Sequence, residues 1–480
     1  MNIVSVIRNE RPENSVTAVQ TENFSVSYEQ LFSDLDSVRN QLSGVGVRAD
    51  DKVALLAKDS YSYIVFCLAA LELDAAVVPV PVNSSEPEIE AILNKLKINH
   101  LLFTSPYYSA SGAVALAAPD REEDKWFSLK FPVENTQKIL PAPLRAAFIR
   151  FSSGTTGNSK GVVLSHRAIV ERTAAADKTL KISPADKILW VLDMSFHFVV
   201  TILLFLRRRA TIVLCGSPLP EKMSKALAEN RITVIYATPY HYGLMTRFDL
   251  FAPAMLKNVR LAVSTAMKLY PEPARLFMEK FGFGLTQAYG IIEVGLVFVN
   301  SSGLLEKCDS VGTLLPDYQL KLRDPDKEGR GEIILWGPGM FDAYFDPFIL
   351  REDLFKDGWF ATGDVGKLDK DGYLYIMGRS KNVINFIGMK IFPYEVEEVI
   401  LSHPAVSEVK VEGKRHDNFG EIPVAFVVPE KKYSGDEDEL KKELRKYCLR
   451  RLVAYSVPKE FIIVPELKKT RSGKIRRGNE

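Results

Sequence analysis

The amino-acid sequence predicts an α/β fold, with a parallel β-sheet in its first part and a smaller α+β unit at its C-terminus. Two observations predict this fold. Before Asp309, short apolar runs typical of buried strands alternate with segments in which apolar residues recur at helical spacing. After Asp309, short strand-like runs are separated by glycine and aspartate turns, and the last ~100 residues contain enough strands and helices for a small separate domain.

The first predicted helix is carried by apolar residues from Tyr28 to Leu42, and Gly44 and Gly46 end the run. The segments that follow are typical of a buried strand (KVALLAK), a helix (YIVFCLAALEL), a strand (AAVVPVPV), a helix (EIEAILNKL) and a strand (HLLFT). The runs TIVLC, RITVIYAT and VRLAVST continue the strand pattern. Strands separated by helices favour a parallel sheet, because parallel neighbours need a long crossover connection.

The second part of the chain has a different pattern, which predicts short strands and then a small α+β unit. VGTLLPDYQLKLRD, GEIILWGPG and GYLYIMGR are typical of short strands in a β-rich region. The last segment predicts a helix at PYEVEEVILSH, strands at AVSEVKVEG and IPVAFVVPE, and an amphipathic helix at DEDELKKELRKYCLRRL. We place the boundary between the two parts near Gly378 to Lys381.

Length and composition bound the class of protein. At 480 residues the chain is too long for one compact core, so we expect two or more domains. A formal net charge of +2 argues against a dedicated nucleic-acid binder. The four cysteines lie far apart without metal-type spacing, so we expect free thiols in a reducing compartment, the cytoplasm. The N-terminus lacks the apolar core of a signal peptide.

One apolar segment is long enough to raise the question of whether it spans a membrane. ILWVLDMSFHFVVTILLFLRRR, from Ile188 to Arg209, ends in three arginines, which is typical of the flank of a span. Asp193 and His197 interrupt it, and the remaining run from Phe198 to Leu206 is too short to cross ~30 Å of hydrocarbon as a helix. We therefore predict a buried helix and no transmembrane segment, while peripheral membrane contact stays open.

A loop rich in glycine and hydroxyl groups, RFSSGTTGNSKGVVLSHR, runs from Arg150 to Arg167. Glycines let backbone N–H groups approach an anion closely, and hydroxyls donate further hydrogen bonds. Lys160 adds a mobile positive charge. The spacing differs from the template G-x-x-x-x-G-K-[ST], because Ser159 precedes the lysine and Gly161 follows it. On its own the loop is compatible with either a phosphate site or a flexible Ser/Gly linker.

Four stretches in order identify the family that this chain resembles. They are SSGTTGNSKG (152–161), QAYGIIE (287–293), FATGD (360–364) with GRSKNVINFIG (378–388), and TRSGKI (470–475). The sequence resembles the acyl-adenylate-forming ligases, which include acyl-CoA synthetases, aryl and fatty acid ligases, nonribosomal adenylation domains and firefly luciferase. It is most similar to a stand-alone carboxylic acid–CoA ligase, and the resemblance covers nearly the whole chain.

The resemblance implies a large N-terminal adenylation domain over residues 1–378, a hinge at 379–383 and a small mobile α+β lid over 384–480. The large domain would consist of stacked mixed and parallel β-sheets with helices, plus a β-rich subdomain. The resemblance also implies two half-reactions with ATP and Mg²⁺. A carboxylate attacks the α-phosphate to give acyl-AMP and pyrophosphate, and a phosphopantetheine thiol of coenzyme A or of a carrier protein then takes the acyl group.

The resemblance assigns the glycine-rich loop to the β- and γ-phosphates of ATP. Gripping and then releasing pyrophosphate suits flexible glycines and hydroxyls better than a rigid cage. The family often has proline where this chain has Ser159. The residues expected to bind phosphate are Ser152, Ser153, Gly154, Thr155, Thr156, Gly157 and Lys160.

The resemblance places Gln287, Tyr289 and Gly290 in the nucleotide site, with Tyr289 stacked near the adenine. Glu293 matches the family's catalytic Mg²⁺ ligand, since a hard cation prefers carboxylate oxygen and would bridge the phosphate charges. Ile292 stands where the family usually has a threonine that bonds the α-phosphate, so this chain lacks one hydrogen-bond donor there.

Further positions match around the ribose and the hinge. Asp364 matches the acid that binds both ribose hydroxyls, because a carboxylate can accept two hydrogen bonds side by side. Arg379 is expected to contact the ribose or a phosphate. Lys381 falls on the hinge position, and Gly388 would line the thiol's tunnel, where a side chain would obstruct pantetheine.

Two further catalytic residues follow from the resemblance. Lys474, on the lid, would offset the repulsion between the substrate carboxylate and the α-phosphate. By itself the basic tail KKTRSGKIRR is equally typical of contact with nucleic acid or anionic lipid. His197, in MSFHFVV, matches a histidine where the acyl pocket meets the thiol tunnel.

The stretch around His197 also indicates the substrate. Adenylation domains for α-amino acids have an aspartate after the equivalent phenylalanine, whereas this chain has Phe196-His197. That favours a plain fatty or aryl acid. At positions 264–269 this chain has STAMKL, where the family usually has a glycine-rich segment. The bulkier side chains would narrow the acyl pocket. The alternatives are an enzyme that loads a separate carrier protein and a degenerate, non-catalytic binder of nucleotide or acyl groups.

Overall fold

The structure, a computed structural model, describes the chain except for residues 11–14, 106, 120–123, 133–138, 142–143, 152–159, 217–218, 432, 434, 471–474 and 478–480. The helices in the described residues are α1 Ile3–Asn9, α2 Tyr28–Gly44, α3 Tyr61–Glu72, α4 Glu86–Lys95, α5 His166–Leu180, α6 Met194–His197, α7 Leu203–Arg207, α8 Pro220–Glu229, α9 Pro239–Arg247, α10 Pro271–Phe281, α11 Arg351–Leu354, α12 Pro393–Leu401 and α13 Glu437–Leu449.

The strands in the described residues are β1 Thr17–Gln20, β2 Ser25–Ser27, β3 Lys52–Leu56, β4 Ala76–Pro79, β5 His100–Thr104, β6 Val114–Leu116, β7 Trp126–Lys130, β8 Ala146–Phe151, β9 Gly161–Ser165, β10 Lys187–Trp190, β11 Thr211–Leu214, β12 Val234–Ala237, β13 Leu261–Ser264, β14 Thr286–Ile291, β15 Gly295–Asn300, β16 Thr313–Leu314, β17 Gln319–Arg323, β18 Gly331–Trp336, β19 Ala343–Phe345, β20 Ile349–Leu350, β21 Phe360–Leu368, β22 Leu374–Arg379, β23 Ile384–Phe386, β24 Met389–Ile391, β25 Val406–His416, β26 Gly420–Pro429 and β27 Glu460–Ile463.

Two large sheets form the frame of the N-terminal part. Within the described residues each has nine strands, in the orders β16-β15-β14-β13-β12-β10-β11-β1-β2 and β20-β19-β9-β8-β4-β3-β5-β7-β6. Their central strands pair in parallel, as β10 does with β11 and β12, and β3 with β4 and β5. Parallel strands covered on both faces need continuous apolar runs, which explains why runs such as KVALL have no polar alternation.

The main hydrophobic core lies on the inner faces of these two sheets. We call it the principal core, and its members include Val53 of β3, Phe148 of β8, Ile188 of β10 and Phe66 of α3. The outer face of each sheet has its own core. Leu189 belongs to the one formed with α8, α9 and α10, and the other includes residues of α4.

The rest of the chain forms two smaller sheets. Strands β17-β18-β21-β22 make an antiparallel sheet that follows the large ones. Strands β24-β23-β26-β25, with β27 beside β26, share a separate core with α12 and α13. The predicted fold class, a large α/β part with a β-rich region and a small α+β C-terminal part, is confirmed. A short 3-10 turn, Ser380–Asn382, lies within the predicted hinge, and the domain boundaries stay a prediction.

The segment from Ile188 to Arg209 differs from the predicted single buried helix. Ile188 to Trp190 belong to β10, which pairs in parallel with two strands. Helix begins only at Met194, continues as a π-helical turn over Phe198–Ile202 and ends in α7. The apolar composition suits a buried strand as well as a buried helix, so the sheet pairing decides. Among the helices described, none has the length and apolarity needed to cross a membrane.

His166, the first residue of α5, joins the N-terminus to the large sheets. The backbone N–H of Ile3 donates to its Nδ1 at 3.3 Å, and its Nε2 lies 3.7 Å from a carboxylate oxygen of Asp74. The side chain is buried. Burial lowers the pKa of His166 to about 4, although the Asp74 charge acts in the opposite direction. The protein therefore folds around the neutral imidazole.

This arrangement predicts that mild acid destabilises the protein through His166. The pKa is about 4 in the folded chain and 6.5 as its ordinary value, so protons bind mainly to the unfolded chain between these pH values. The contribution of neutral His166 is present above pH 6.5 and is lost as the pH falls towards 4. We expect it to account for about 2 kcal/mol of the stability lost between pH 7 and pH 5.

Denaturant unfolding of the wild type and of His166→Gln at both pH values measures this contribution. Glutamine keeps an acceptor for the Ile3 N–H but does not titrate, so the variant should lose correspondingly less stability on acidification. An identical loss in the two proteins would contradict the assignment to His166.

Candidate active site

Several predicted nucleotide-site residues lie on the hairpin formed by β14 and β15. Gln287 is buried on β14, and its Oε1 accepts no hydrogen bond from the residues that the structure describes. At Gly290, any side chain would clash with the carbonyl oxygen of Gly295. Glycine is required there because the two strands approach closely at a bulge in the pairing.

Asp364 joins two other predicted residues in one cluster. The Tyr289 hydroxyl donates to its Oδ2, and Nε of Arg379 lies 2.8 Å from its Oδ1. Asp364 and Arg379 are paired across β21 and β22, and Nη1 of Arg379 also donates to the carbonyl of Thr362 at 3.0 Å. The sheet pairing therefore fixes the carboxylate and the guanidinium side by side, which only the resemblance had indicated.

The contacts in this cluster determine which hydrogen bonds the Asp364 carboxylate accepts. Burial and the Asp364 charge both raise the pKa of the Tyr289 hydroxyl, so it stays protonated and acts as a donor. Both carboxylate oxygens are therefore already engaged within the protein, although each can accept a second hydrogen bond. Tyr289 is held against Asp364 in this structure, and binding of a ribose by this carboxylate would compete with that contact.

Glu293 lies in the turn that connects β14 to β15, together with two groups from elsewhere in the chain. The Tyr344 hydroxyl, from β19, donates to its Oε1 at 3.2 Å. The ammonium group of Lys160 lies 4.7 Å from the centre of the Tyr344 ring. Burial raises the pKa of the Glu293 carboxyl, against the lowering effect of the hydrogen bond from Tyr344. Tyr344 thus contacts both Lys160, predicted to bind phosphate, and Glu293, predicted to bind the metal ion.

Arg172 fixes the turn that carries Glu293. It is buried on α5, and Nε and Nη2 donate to the carbonyl of Gly339 at 2.8 and 2.5 Å. Nη1 donates to the carbonyl of Ile292 at 3.0 Å. Burial lowers the pKa of Arg172 to about 10, so the guanidinium stays charged at neutral pH. It therefore acts as a clamp between two loops that are distant in sequence.

Neither Tyr344 nor Arg172 was found from the sequence. For Arg172 a signal existed, because it stands on the apolar face of α5 where Ala168, Ile169 and Ala176 are buried. A charged residue in a stripe of helical spacing indicates a specific buried partner. Tyr344 gave no comparable signal, because aromatic residues are common in strands.

His197 ends the short helix α6, which Asp193 caps by accepting the N–H of Ser195 at 2.7 Å. The next residue, Phe198, is buried, and its ring centre lies 6.0 Å from that of Tyr63 and 6.2 Å from that of Phe148. The segment that contains His197 is therefore anchored to both α3 and β8.

The segment 264–269 follows β13 on the same sheet. Ala266 has φ 71°, in the left-handed region that favours glycine. Lys268 reaches the C-terminal part, where its Nζ lies 2.9 Å from a carboxylate oxygen of Glu398. A predicted pocket wall thus also carries a contact to the predicted lid.

The remaining predicted residues lie apart from these clusters or outside the described residues. Lys381 is exposed within the 3-10 turn, and Gly388 is exposed at the turn between β23 and β24, with φ 77° and open space around it. The predicted residues Ser152, Ser153, Gly154, Thr155, Thr156, Gly157 and Lys474 lie outside the described residues.

Comparisons with known proteins agree on one family. The sequence pattern of the AMP-binding enzyme family matches residues 8–345, and that of the AMP-binding enzyme C-terminal domain matches residues 395–474. Among curated relatives, a long-chain-fatty-acid–CoA ligase (FadD13) of Mycobacterium tuberculosis is 27% identical, over 94% of this chain and 91% of its own length. A 2-succinylbenzoate–CoA ligase of Listeria monocytogenes is 28% identical, over 96% and 95%.

Solved structures share the fold over nearly the whole chain. ATP-bound MatB from Rhodopseudomonas palustris has a TM-score of 0.85 at 23% identity, covering 99% of this chain and 97% of its own. An o-succinylbenzoate CoA synthetase from Bacillus subtilis, in complex with its acyl-adenylate intermediate, has a TM-score of 0.82 at 25% identity, with coverage of 99% and 97%.

The Arg172 clamp predicts a large loss of stability in Arg172→Met. Methionine removes three donors and leaves two backbone carbonyls without them in a buried setting, so unfolding free energy should fall by about 2–4 kcal/mol. The matched control is Arg167→Met, one turn earlier on α5, where the arginine side chain is 74% exposed. The control should change stability by less than about 0.5 kcal/mol. Equal effects in the two variants, measured by denaturant unfolding, would refute the clamp.

Proposed function

This chain belongs to the AMP-binding enzyme family, the acyl-adenylate-forming ligases, and on that premise we propose that it joins a fatty or aryl carboxylic acid to coenzyme A. ATP would drive the reaction through acyl-AMP, with release of pyrophosphate and then AMP. The curated relatives described above, each named a CoA ligase, support coenzyme A as the acceptor.

The observation that carries this proposal is the convergence of two clusters on the β14–β15 hairpin. Tyr289 connects its strand to the Asp364–Arg379 pair, and Glu293 connects the turn to Tyr344 and Lys160. One cluster offers a carboxylate and a guanidinium, which suit a ribose and a phosphate. The other offers a carboxylate and an ammonium group, which suit a metal–polyphosphate.

In the proposed first half-reaction, an oxygen of the acid attacks the α-phosphorus of ATP. The bond between that phosphorus and the bridging oxygen breaks, and pyrophosphate leaves with the electron pair. Lys160, with residues Ser152 to Gly157 of its loop, would hold the departing phosphates. Lys474 would lie between the two anions as they approach, where a cation lowers the electrostatic barrier.

The residues present fit a magnesium ion held mainly by the substrate. Glu293 supplies one carboxylate, and no cluster of three potential metal ligands occurs among the described residues. Mg²⁺ usually binds through one or two carboxylates plus substrate phosphates, so a single protein carboxylate is sufficient. When bound, the ion would neutralise phosphate charge.

In the proposed second half-reaction, the thiol sulfur attacks the acyl carbon of acyl-AMP. The bond from that carbon to the phosphate oxygen breaks, AMP leaves with the electron pair, and the thiol proton passes to solvent. Residues 384–480 would first rotate about the 379–383 hinge at Lys381. Gly388 would then line the thiol's path, and His197 would border it on the acyl side.

The proposal is tested by ATP-dependent pyrophosphate release across a panel of fatty, aryl and amino acids, with hydroxylamine to trap the acyl-AMP. We expect release with fatty or aryl acids and none with amino acids, because no acid follows Phe196 to pair an amino group. Adding coenzyme A should give a thioester and AMP. A thioester formed only with a carrier protein would show that the carrier, not coenzyme A, is the acceptor. Silence across the panel in protein that binds ATP would indicate a different class of acid or a non-catalytic binder.

A second prediction concerns the two half-reactions separately. Lys474→Ala should lower the adenylation rate by about 100-fold or more, since it removes a charge placed at the transition state. Thiolysis of supplied acyl-AMP should be largely spared. The matched control is Lys468→Ala, an exposed lysine of the same basic tail, which should leave both rates unchanged. Equal losses in both half-reactions for Lys474→Ala would contradict its proposed role.

A further inference from the structure

Arg150 stands at the carboxyl end of β8 and faces the space between the two large sheets. Side chains alternate along a strand, and on β8 Phe148 faces the principal core while Ile149 faces the outer core. Arg150 therefore points to the same side as Phe148. It is half-buried, so part of its side chain remains accessible.

Two other arginines of the core donate hydrogen bonds to backbone carbonyls. Arg172 donates to Gly339 and Ile292, and Arg209 donates to the carbonyl of Ile7 at 2.7 Å and stacks over an aromatic ring. Within the described part of the chain, Arg150 has neither a hydrogen-bond acceptor nor an ion-pair partner. A core arginine with a purely structural role would be expected to have such partners.

Charged groups on both sides of the candidate site act on Arg150. Burial lowers its pKa to about 10, so it remains a cation at neutral pH. Tyr63 and Arg172 are neighbours, and the carboxylates that act on it are Asp193, at the start of α6, and Glu293, on the hairpin turn. Neither carboxylate is close enough to form an ion pair.

The wall beside Arg150 is aromatic and belongs to the segment that contains His197. Phe198 follows His197 directly and contacts both Phe148 and Tyr63. A cation in such surroundings is stabilised further by an anion that comes within hydrogen-bond distance of it. The proposed acyl pocket begins at His197, so an anion in that pocket is the natural partner.

Resting on the proposed function, the geometry points to Arg150 as a specificity-determining residue that binds a second carboxylate of the acid substrate. The planar guanidinium can bind a carboxylate through two parallel hydrogen bonds. The substrate class is therefore a dicarboxylic acid, in which one carboxylate is activated and the other is held by Arg150.

The segment 264–267 favours a short acid. Thr265, Ala266 and Met267 carry side chains where the family usually has glycine, and Ala266 keeps a β-carbon at φ 71°. A non-glycine residue in this conformation is disfavoured relative to an ordinary backbone, so this chain carries a β-carbon there against a conformational penalty. In the proposed acyl pocket, bulk at this wall would favour a short acid over a long chain.

The test measures pyrophosphate release with acids paired by carbon number: butanoate with butanedioate, pentanoate with pentanedioate, and hexanoate with hexanedioate. The proteins are the wild type, Arg150→Met, Arg150→Lys and the control Arg167→Met. The wild type should prefer one or more diacids. Arg150→Met should lower kcat/KM for that diacid by about 10- to 100-fold, mainly through KM, and leave the matched monoacid unchanged. Arg150→Lys should recover part of the loss.

Each other outcome has a distinct meaning. If the wild type prefers monoacids, or if Arg150→Met lowers kcat/KM equally for both members of a pair, the assignment is wrong and Arg150 acts on the reacting centre or on folding. Thermal unfolding of each variant separates those two cases, and Arg150→Lys keeps the test valid if the methionine variant is unstable. If the wild type releases pyrophosphate with a longer fatty acid or an aryl acid but with none of these six acids, the diacid assignment alone is overturned. Absence of release with every acid, the longer fatty and aryl acids included, would overturn the proposed function as well.

Discussion

The hydrogen bonds from the buried guanidinium of Arg172 are the constraint on which the candidate site depends. One side chain on α5 holds the carbonyl of Gly339 and the carbonyl of Ile292. Glu293 directly follows Ile292, and Tyr344 lies on the strand that follows Gly339. The Tyr344 hydroxyl donates a hydrogen bond to the Glu293 carboxylate. A charged donor suits this position because hydrogen bonds to ionised groups are stronger, and because three hydrogen bonds to two carbonyls offset the cost of burying one charge. Side-chain geometry at the turn is therefore set by the core.

A second consequence concerns the C-terminal part. Lys268 and Glu398 form an ion pair across the two parts, and Arg330 lies 3.9 Å from Glu395 at the same junction. These charged pairs line a cavity of 430 Å³. Ion pairs at partly exposed positions contribute little net free energy, so a junction built on them can separate at small cost. This is the property that a rotating lid would need.

The sequence predicted most strands and helices because their apolar patterns are long and their ends are marked by glycine or proline, as at Gly44 and Gly46. It failed at Ile188 to Trp190, where an apolar run fits either a helix or a buried strand and only the pairing with β11 and β12 decides. Within the site, the motifs led to Asp364, Arg379 and Glu293. Tyr344 and Arg172 escaped, because their roles arise from contacts to segments 51 and 120 residues away. A pattern of neighbouring residues in the sequence does not indicate contacts between segments so far apart.

The Arg172 clamp also shows what changes at position 292, where this chain has isoleucine and the family usually has threonine. Arg172 binds the backbone carbonyl of this residue, and the side chain packs against the principal core. Replacing the family's usual threonine by isoleucine therefore leaves the turn in place and removes only a hydroxyl donor. The Tyr344–Glu293 bond and the Asp364–Arg379 pair are both in place beside Ile292. The isoleucine therefore removes one proposed hydrogen bond to the α-phosphate and leaves the other proposed contacts of the site intact.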